Sequence, residues 1–154
     1  MKRWLVKILT FFIFTGWVSA EIQPVQLCFL TGDDTSVYVT RTIDIPTGTD
    51  VAGQVKLILT VLGNGLTPSE LLQEYYTAIP VGTKIQAINI ETNKITVDFN
   101  TKIISAGMDD VKLSEIYRQV IDTLKVRFPF DSFNLTVNGK SLGSYIQQLN
   151  PLTP

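Results

Sequence analysis

The sequence contains no histidine and a single cysteine, Cys28. Without histidine, neither a Ser-His-Asp nor a Cys-His nucleophile can be assembled, and the commonest transition-metal ligand is missing. One cysteine cannot close an internal disulfide or supply a paired-cysteine metal site. Cys28 sits in an apolar run and reads as a small buried hydrophobe, the alternative being an intermolecular bridge. No phosphate-binding glycine loop or dinucleotide fingerprint is present. The chain after residue 20 carries no internal repeat and no low-complexity tract. The main enzymatic class these absences leave open is a hydrolase built on two carboxylates.

An excess of positive charge is missing too. The chain has 13 Lys and Arg against 14 Asp and Glu, for a formal net charge of −1. Lys2, Arg3 and Lys7 stand at the very start, so the remainder is more acidic than the whole. Such a domain is a poor fit to nucleic acid or to an anionic membrane surface.

One long apolar run exists, Ile8 to Val18, broken only by Thr10, Thr15 and Gly16. A basic leader precedes it, and Val18-Ser19-Ala20 with Glu21 follows as a small-x-small cleavage pattern. Residues 1–20 therefore read as a secretory signal. A membrane-spanning helix needs about 20 apolar residues, and Lys7 leaves this run short of that. The alternative is an uncleaved N-terminal anchor, the one way this chain is expected to touch a membrane. Lipid anchoring is not expected, because Cys28 follows Val25-Gln26-Leu27 without the small residue that precedes a lipidated cysteine. The expected placement is extracytoplasmic: secreted, periplasmic or associated with the cell envelope. Residues 21–146 suffice for one domain with a core that needs no covalent staple. Residues 147–154, polar and proline-marked, read as a loose tail.

Within the domain, Val25 to Leu30 and Ser36 to Ile45 read as strands joined by turn chemistry at Gly32-Asp33-Asp34. Arg41 falls on the face that Val37, Val39, Ile43 and Ile45 make apolar, which requires a sheet edge or a carboxylate partner. Thr49 or Asp50 caps a helix with Val51, Val55, Ile58, Leu59 and Leu62 at helical spacing, ending at Gly63-Asn64-Gly65. Gly53 weakens that helix by about 1 kcal/mol relative to alanine. Thr67-Pro68-Ser69-Glu70 forms a capping box for a shorter helical segment that runs on to Tyr75 and Tyr76. Residues 84–99 read as a hairpin turned at Glu91-Thr92-Asn93, with Asn93 at positive φ. A third helix, opened by Asp109 and Asp110 or by Ser114, buries Leu113, Tyr117, Val120, Ile121, Leu124 and Phe128 and stops at Pro129. Phe133, Leu135 and Val137 make a last strand, and Asn138-Gly139 turns Lys140 to Leu142 back beside it. The order predicts an α+β two-layer sandwich, a small, mostly antiparallel sheet with helices on one face.

These pieces, in order, resemble the GerMN domain, known from GerM-type spore-formation and germination proteins and from an actinobacterial envelope lipoprotein. The resemblance rests on Tyr38-Val39-Thr40-Arg41, the helix end Leu59 to Gly63, and Ala78-Ile79-Pro80-Val81-Gly82-Thr83. It continues through Ile95-Thr96-Val97-Asp98-Phe99-Asn100, Thr123-Leu124 and Leu135-Thr136-Val137-Asn138-Gly139. It covers residues 25–143. Gly63-Asn64-Gly65 replaces a Gly-Pro, Asn100 a serine and Asn138 an aspartate, each preserving turn chemistry. The resemblance implies a fold similar to the ring-building modules of secretion and sporulation assemblies, no cofactor, no metal and no catalytic residue. It implies work by contact, with envelope proteins or by self-association.

Three readings of function follow. In an assembly or scaffold module, the hairpin face with Tyr38, Thr40 and Thr42 meets a partner; otherwise it meets solvent or the chain's own tail. In a cell-wall glycan hydrolase, Asp98 is the best candidate, with Glu74 or Asp122 as second carboxylate; otherwise Asp98 caps the Asn100-Thr101 turn or pairs with Arg41. In a peptidoglycan-binding module, Tyr75 and Tyr76 offer an aromatic edge. Asn134-Leu135-Thr136 matches a glycosylation acceptor but falls in a predicted strand.

Overall fold

Residues 20–33, 35–104 and 108–149 are described by a computed structural model. Its elements run β1 (Ala20–Leu30), β2 (Ser36–Pro46), α1 (Val51–Gly63), α2 (Pro68–Leu71), β3 (Ile85–Glu91), β4 (Lys94–Phe99), a 3₁₀ turn (Thr101–Ile103), α3 (Asp110–Lys125), β5 (Ser132–Val137), β6 (Lys140–Ser141) and α4 (Leu142–Leu149). The leader read over residues 1–20 lies, Ala20 apart, outside the described residues, as do residues 150–154 of the tail. No helix among the described residues is long and apolar enough to cross a membrane.

The class is α+β, as expected, but the strands divide between two sheets. β1 and β2 pair antiparallel from Ala20↔Pro46 to Leu30↔Ser36. The second sheet has the order β3-β4-β5-β6, and β4 and β5 are parallel. The parallel pair follows from connectivity: α3 lies between these strands in sequence, and a crossover of that kind returns the chain in the same direction. Alternation in β3 is interrupted by a bulge between Ile85 and Ala87. The extra residue changes the parity of the strand, so Ile85, Ile88 and Ile90 all reach the core beside Ile95, Val97 and Phe99 of β4. The opposite face carries Gln86, Asn89, Asp98 and Thr136.

Caps and turns explain the element ends. The Asp50 side chain accepts from Gly53 N at 2.7 Å at the start of α1. Gly53 is there for space: a Cβ would lie 2.6 Å from Thr49 Cγ2. Val51, expected in the buried stripe, is exposed, while Val55, Ile58, Leu59 and Leu62 are buried. Asp109 caps α3 through Lys112 N at 2.8 Å. That helix buries Ile116, Gln119, Val120, Thr123 and Leu124, whereas Leu113, Tyr117 and Ile121 of the expected stripe are only half-buried. The β3–β4 turn puts Thr92, not Asn93, at positive φ. Asn93 is held instead by Asp131, whose N–H donates to Asn93 O at 2.8 Å and whose carboxylate accepts from Asn93 Nδ2 at 2.7 Å. Asn138 and Gly139 both have positive φ, the hairpin turn expected between β5 and β6.

Two corrections concern the chain ends of these segments. The helical segment after Thr67 ends at Leu71, so Tyr75 and Tyr76 are not on a helix. Helix α4 runs across the expected boundary at residue 146 to Leu149, where the sequence suggested a loose tail. Leu142 is buried, and the Tyr145 hydroxyl donates to Val137 O at 3.0 Å, which docks this helix on β5.

Arg41 resolves in favour of a carboxylate partner. Its guanidinium grips Glu70, with Nε donating to Oε1 at 3.2 Å and Nη2 to Oε2. Nη2 also donates to Gly65 O at 2.9 Å, and the group lies over the Phe29 ring. Glu70 completes the expected capping box by accepting from Thr67 N at 2.7 Å. One glutamate therefore fixes α2 to β2. Burial pushes the Glu70 carboxyl up, but hydrogen bonds from Arg41 and Thr67 outweigh it and the net shift is downward.

Glu70→Ala is expected to cost about 2–3 kcal/mol, between the values for exposed and fully buried pairs, because Arg41 loses its partner. Urea denaturation at neutral pH measures it, and the double variant Arg41→Met/Glu70→Leu should recover most of the loss. Since the folded Glu70 ionises below its unfolded value, its contribution is complete above the ordinary glutamate range and disappears as pH falls through the folded value. Glu70→Gln should flatten the acid limb of the stability–pH profile; an unchanged limb would show that the carboxylate is not ionised in this pair.

Candidate functional site

The β1–β2 hairpin has two long edges, one of them covered at its Cys28–Leu30 end. On β1, Cys28 N donates to Thr123 Oγ1 at 2.9 Å, and Leu30 exchanges backbone hydrogen bonds with Tyr76 at 3.1 and 2.8 Å. These groups therefore point away from β2. In a regular antiparallel ladder, every second residue does the same, so Pro24, Gln26, Cys28 and Leu30 share this outer edge. Pro24 has no N–H to leave unpaired there. Cys28 is buried, and burial raises its thiol pKa, consistent with the hydrophobe expected from the sequence.

The residues opposite these on β2 direct their backbone groups to the other side. The register puts Tyr38 opposite Cys28, Thr40 opposite Gln26 and Thr42 opposite Pro24. Among the described residues, no strand pairs with this edge and no hydrogen bond reaches the backbone of Tyr38, Thr40, Thr42 or Asp44. Their side chains are exposed. The Tyr38 phenol is shifted upward, by burial first and by the nearby Asp122 carboxylate second.

The carboxylates proposed for hydrolysis occupy different places. Asp98, on β4, accepts from Thr136 Oγ1 at 2.6 Å and from Gly139 N at 2.8 Å. With its amide nitrogen turned inward, Gln86 also reaches Asp98 Oδ2 at 3.1 Å. Asp98 thus serves a turn, but the β5–β6 turn rather than Asn100-Thr101, and Arg41 belongs to Glu70. Glu74 borders a shallow depression with Thr31, Asp33 and Tyr75. Asp122 lies near Tyr38 and Cys28.

The tyrosine pair does not form a platform. The Tyr75 hydroxyl donates to Gln73 Oε1 and that of Tyr76 to Glu115 Oε1, both at 2.7 Å, so the rings serve different elements. Tyr76 owes its place to its backbone bridge with Leu30.

A feature that sequence reasoning missed is a cleft of about 590 Å³ between α1, the turn 79–83 and the ends of β3 and β4. Leu59, Ile79, Phe99 and Val120 line its base, and Lys56 and Lys84 border it. The turn is held from below by buried Gln119, which accepts from Ala78 N at 2.9 Å and donates to Thr77 Oγ1 at 3.0 Å. Asn100 holds it from the side, accepting from Lys84 N at 3.0 Å and donating to Gly82 O at 3.1 Å. The only sequence signal was the Ala78-to-Thr83 motif itself.

Asp98→Ala should destabilise the domain by about 2 kcal/mol, the scale of hydrogen bonds to a charged acceptor. Chemical denaturation checks the loss. Amide exchange should quicken first at Gly139 and Lys140; exchange that rises evenly across the sheet would contradict the turn assignment.

No curated protein matches the chain. Among solved structures, it is similar to the tandem GerMN domains of the sporulation protein GerM from Bacillus subtilis. The TM-score is 0.59 and the identity 20%, over 78% of this chain and 40% of that one. The chain thus corresponds to less than half of that tandem structure. The first GerMN domain of the same protein gives a TM-score of 0.54 at 17% identity, covering 78% of this chain and 86% of that one. A putative lipoprotein from Clostridium perfringens gives 0.50 at 11% identity, covering 87% and 82%. At these identities the structures establish a shared fold. The family model described as "Germane: Sporulation and spore germination" matches residues 26–143, most of the chain, and the protein therefore belongs to the Germane family, the GerMN-type domains.

Proposed function

We propose that this GerMN-type domain is a non-catalytic assembly module of the cell envelope, working outside the cytoplasm, in which the outer edge of β2 takes up a strand from an envelope protein or a second copy. The observation that carries the reading is the row of exposed backbone groups at Tyr38, Thr40, Thr42 and Asp44. Long open edges pair readily with added strands, main-chain hydrogen bonds giving affinity and alternate side chains giving specificity. Natural proteins blunt unused edges with lysine, proline or bulges; on β2 the edge runs from Tyr38 to Thr42 without any of these, and Asp44 and Pro46 stand only at its end.

The extracytoplasmic placement is supported by the basic, apolar and small-x-small order of residues 1–20. It is also supported by the lipoprotein and the sporulation protein among the similar structures. A role in sporulation or germination is supported by the family description. The non-catalytic reading is supported by Asp98, whose carboxylate is committed to Thr136 and Gly139.

Thr40→Pro separates edge from fold. Its N–H points outward without a partner, so folding stability should change by less than about 1 kcal/mol. Val39→Pro, which removes an N–H directed at β1, should cost about 3 kcal/mol or more. Crosslinking in cell envelopes and light scattering of the purified domain should find a partner or dimer with the native chain and lose it with Thr40→Pro. A strict monomer that captures no envelope protein, or a Thr40→Pro chain that captures as well as the native one, would sink the reading.

A further inference from the structure

The cleft beside α1 combines a apolar base with a one-signed rim. Leu59, Ile79, Phe99 and Val120 supply buried apolar surface at its base. Val81, at the tip of the turn, is 96% exposed, an apolar side chain left in solvent beside the opening. Lys56 and Lys84 are exposed along the border, and no Asp or Glu lines the cleft. A third lysine, Lys102, passes over Gly82, its Cγ 3.8 Å from where a glycine Cβ would stand. None of these lysines forms an ion pair among the described residues. The volume of about 590 Å³ falls within the range of small-molecule sites, which are apolar with a few placed polar groups.

We propose that this cleft binds a small amphipathic anion, its apolar chain resting on Leu59, Ile79, Phe99 and Val120 and its carboxylate or phosphate head held by Lys56 and Lys84. Charge selects the head: two lysines on the border with no carboxylate in the lining favour an anion there. The base selects the tail, because covering buried-edge apolar surface and Val81 removes it from water. This inference does not depend on the β2 edge or its partner.

Gly63 offers a clean test. Its φ is not in the left-handed region, and a Cβ there meets only Thr83 O, at 4.0 Å, so a side chain can grow into the cleft without a clash at its root. The experiment titrates isotope-labelled protein with octanoate and octyl phosphate, using acetate, inorganic phosphate and octanol as head-only and tail-only controls. Saturable amide shifts confined to residues 56–65 and 77–85 and to the neighbourhood of Phe99 and Val120 are expected with both amphipaths. Octanol and the Lys56→Glu/Lys84→Glu variant should bind at least about tenfold more weakly, equivalent to about 1.4 kcal/mol. Gly63→Phe should abolish the shifts while retaining the native melting temperature. Equal binding of octanol would overturn the anionic head, and equal binding of acetate or phosphate would overturn the tail. Shifts absent or scattered over the hairpin, or unchanged binding by Gly63→Phe, would overturn the site.

Discussion

A two-stranded sheet cannot satisfy its own backbone, and this domain is arranged around that constraint. β1 and β2 pair with each other and leave two rows of N–H and C=O groups facing outward. On the β1 side the end of the row at Cys28 and Leu30 is met from within, while among the described residues Ile22, Pro24 and Gln26 receive no partner from outside the hairpin. Thr123 receives Cys28 N–H, and Tyr76 closes a bridge with Leu30. This accounts for the polar residues that α3 carries on its buried face, where apolar side chains would bury more surface. Thr123 accepts from β1 and donates to Gln119 O. Gln119, one turn earlier, holds Ala78 and Thr77. The same helix face thereby docks the hairpin and sets the turn that walls the cleft. The β2 side has no such provision anywhere from Tyr38 to Asp44 among the described residues, which makes it the longer open edge.

Much of this was legible in the sequence wherever a local rule decided the outcome. Asp50, Thr67 with Glu70, and Asp109 capped the helices they precede, because a short oxygen-bearing side chain ahead of an apolar repeat has few other uses. Arg41 on an apolar face called for a sheet edge or a carboxylate, and Glu70 supplies the carboxylate. The features that escaped depend on parity or on contacts distant in sequence. The bulge at Ile85/Ala87 reverses the strand alternation on which a face assignment rests. Asn93 was a better left-handed residue than Thr92 by propensity, but its ties to Asp131 decided the turn. Tyr76 was drawn out of helix by a backbone bridge to a strand more than 40 positions earlier. Helix α4 is short and begins beside a glycine, and it is held by Leu142 and by Tyr145 reaching Val137 rather than by helical propensity.

The site followed the same division. Asp98 stood out in sequence because it sits inside a family motif at a strand end, and the motif turned out to serve a turn. A carboxylate with two donors at 2.6 and 2.8 Å is a good organiser of backbone. The cleft could not be read at all, because its walls come from four separated segments and its most conspicuous residues are ordinary lysines and aliphatics.

One hydrogen bond ties the cleft lining to the strand that carries the open edge. Arg41 belongs to β2, its neighbours Thr40 and Thr42 belong to the open edge, and its guanidinium donates at 2.9 Å to Gly65 O in the cleft lining. Glu70 accepts from the same guanidinium. Contact alone does not make the sites communicate, because coupling requires an element with two arrangements that each ligand weights differently. The Arg41–Glu70 pair, bonded to Gly65 and flanked along β2 by Thr40 and Thr42, is a contact that connects the two surfaces. If it moves, linkage is reciprocal, and whatever factor the cleft ligand applies to strand uptake, strand uptake applies to the ligand. If the pair is rigid, the same geometry makes the two surfaces independent, each presented by a frame that the other cannot disturb.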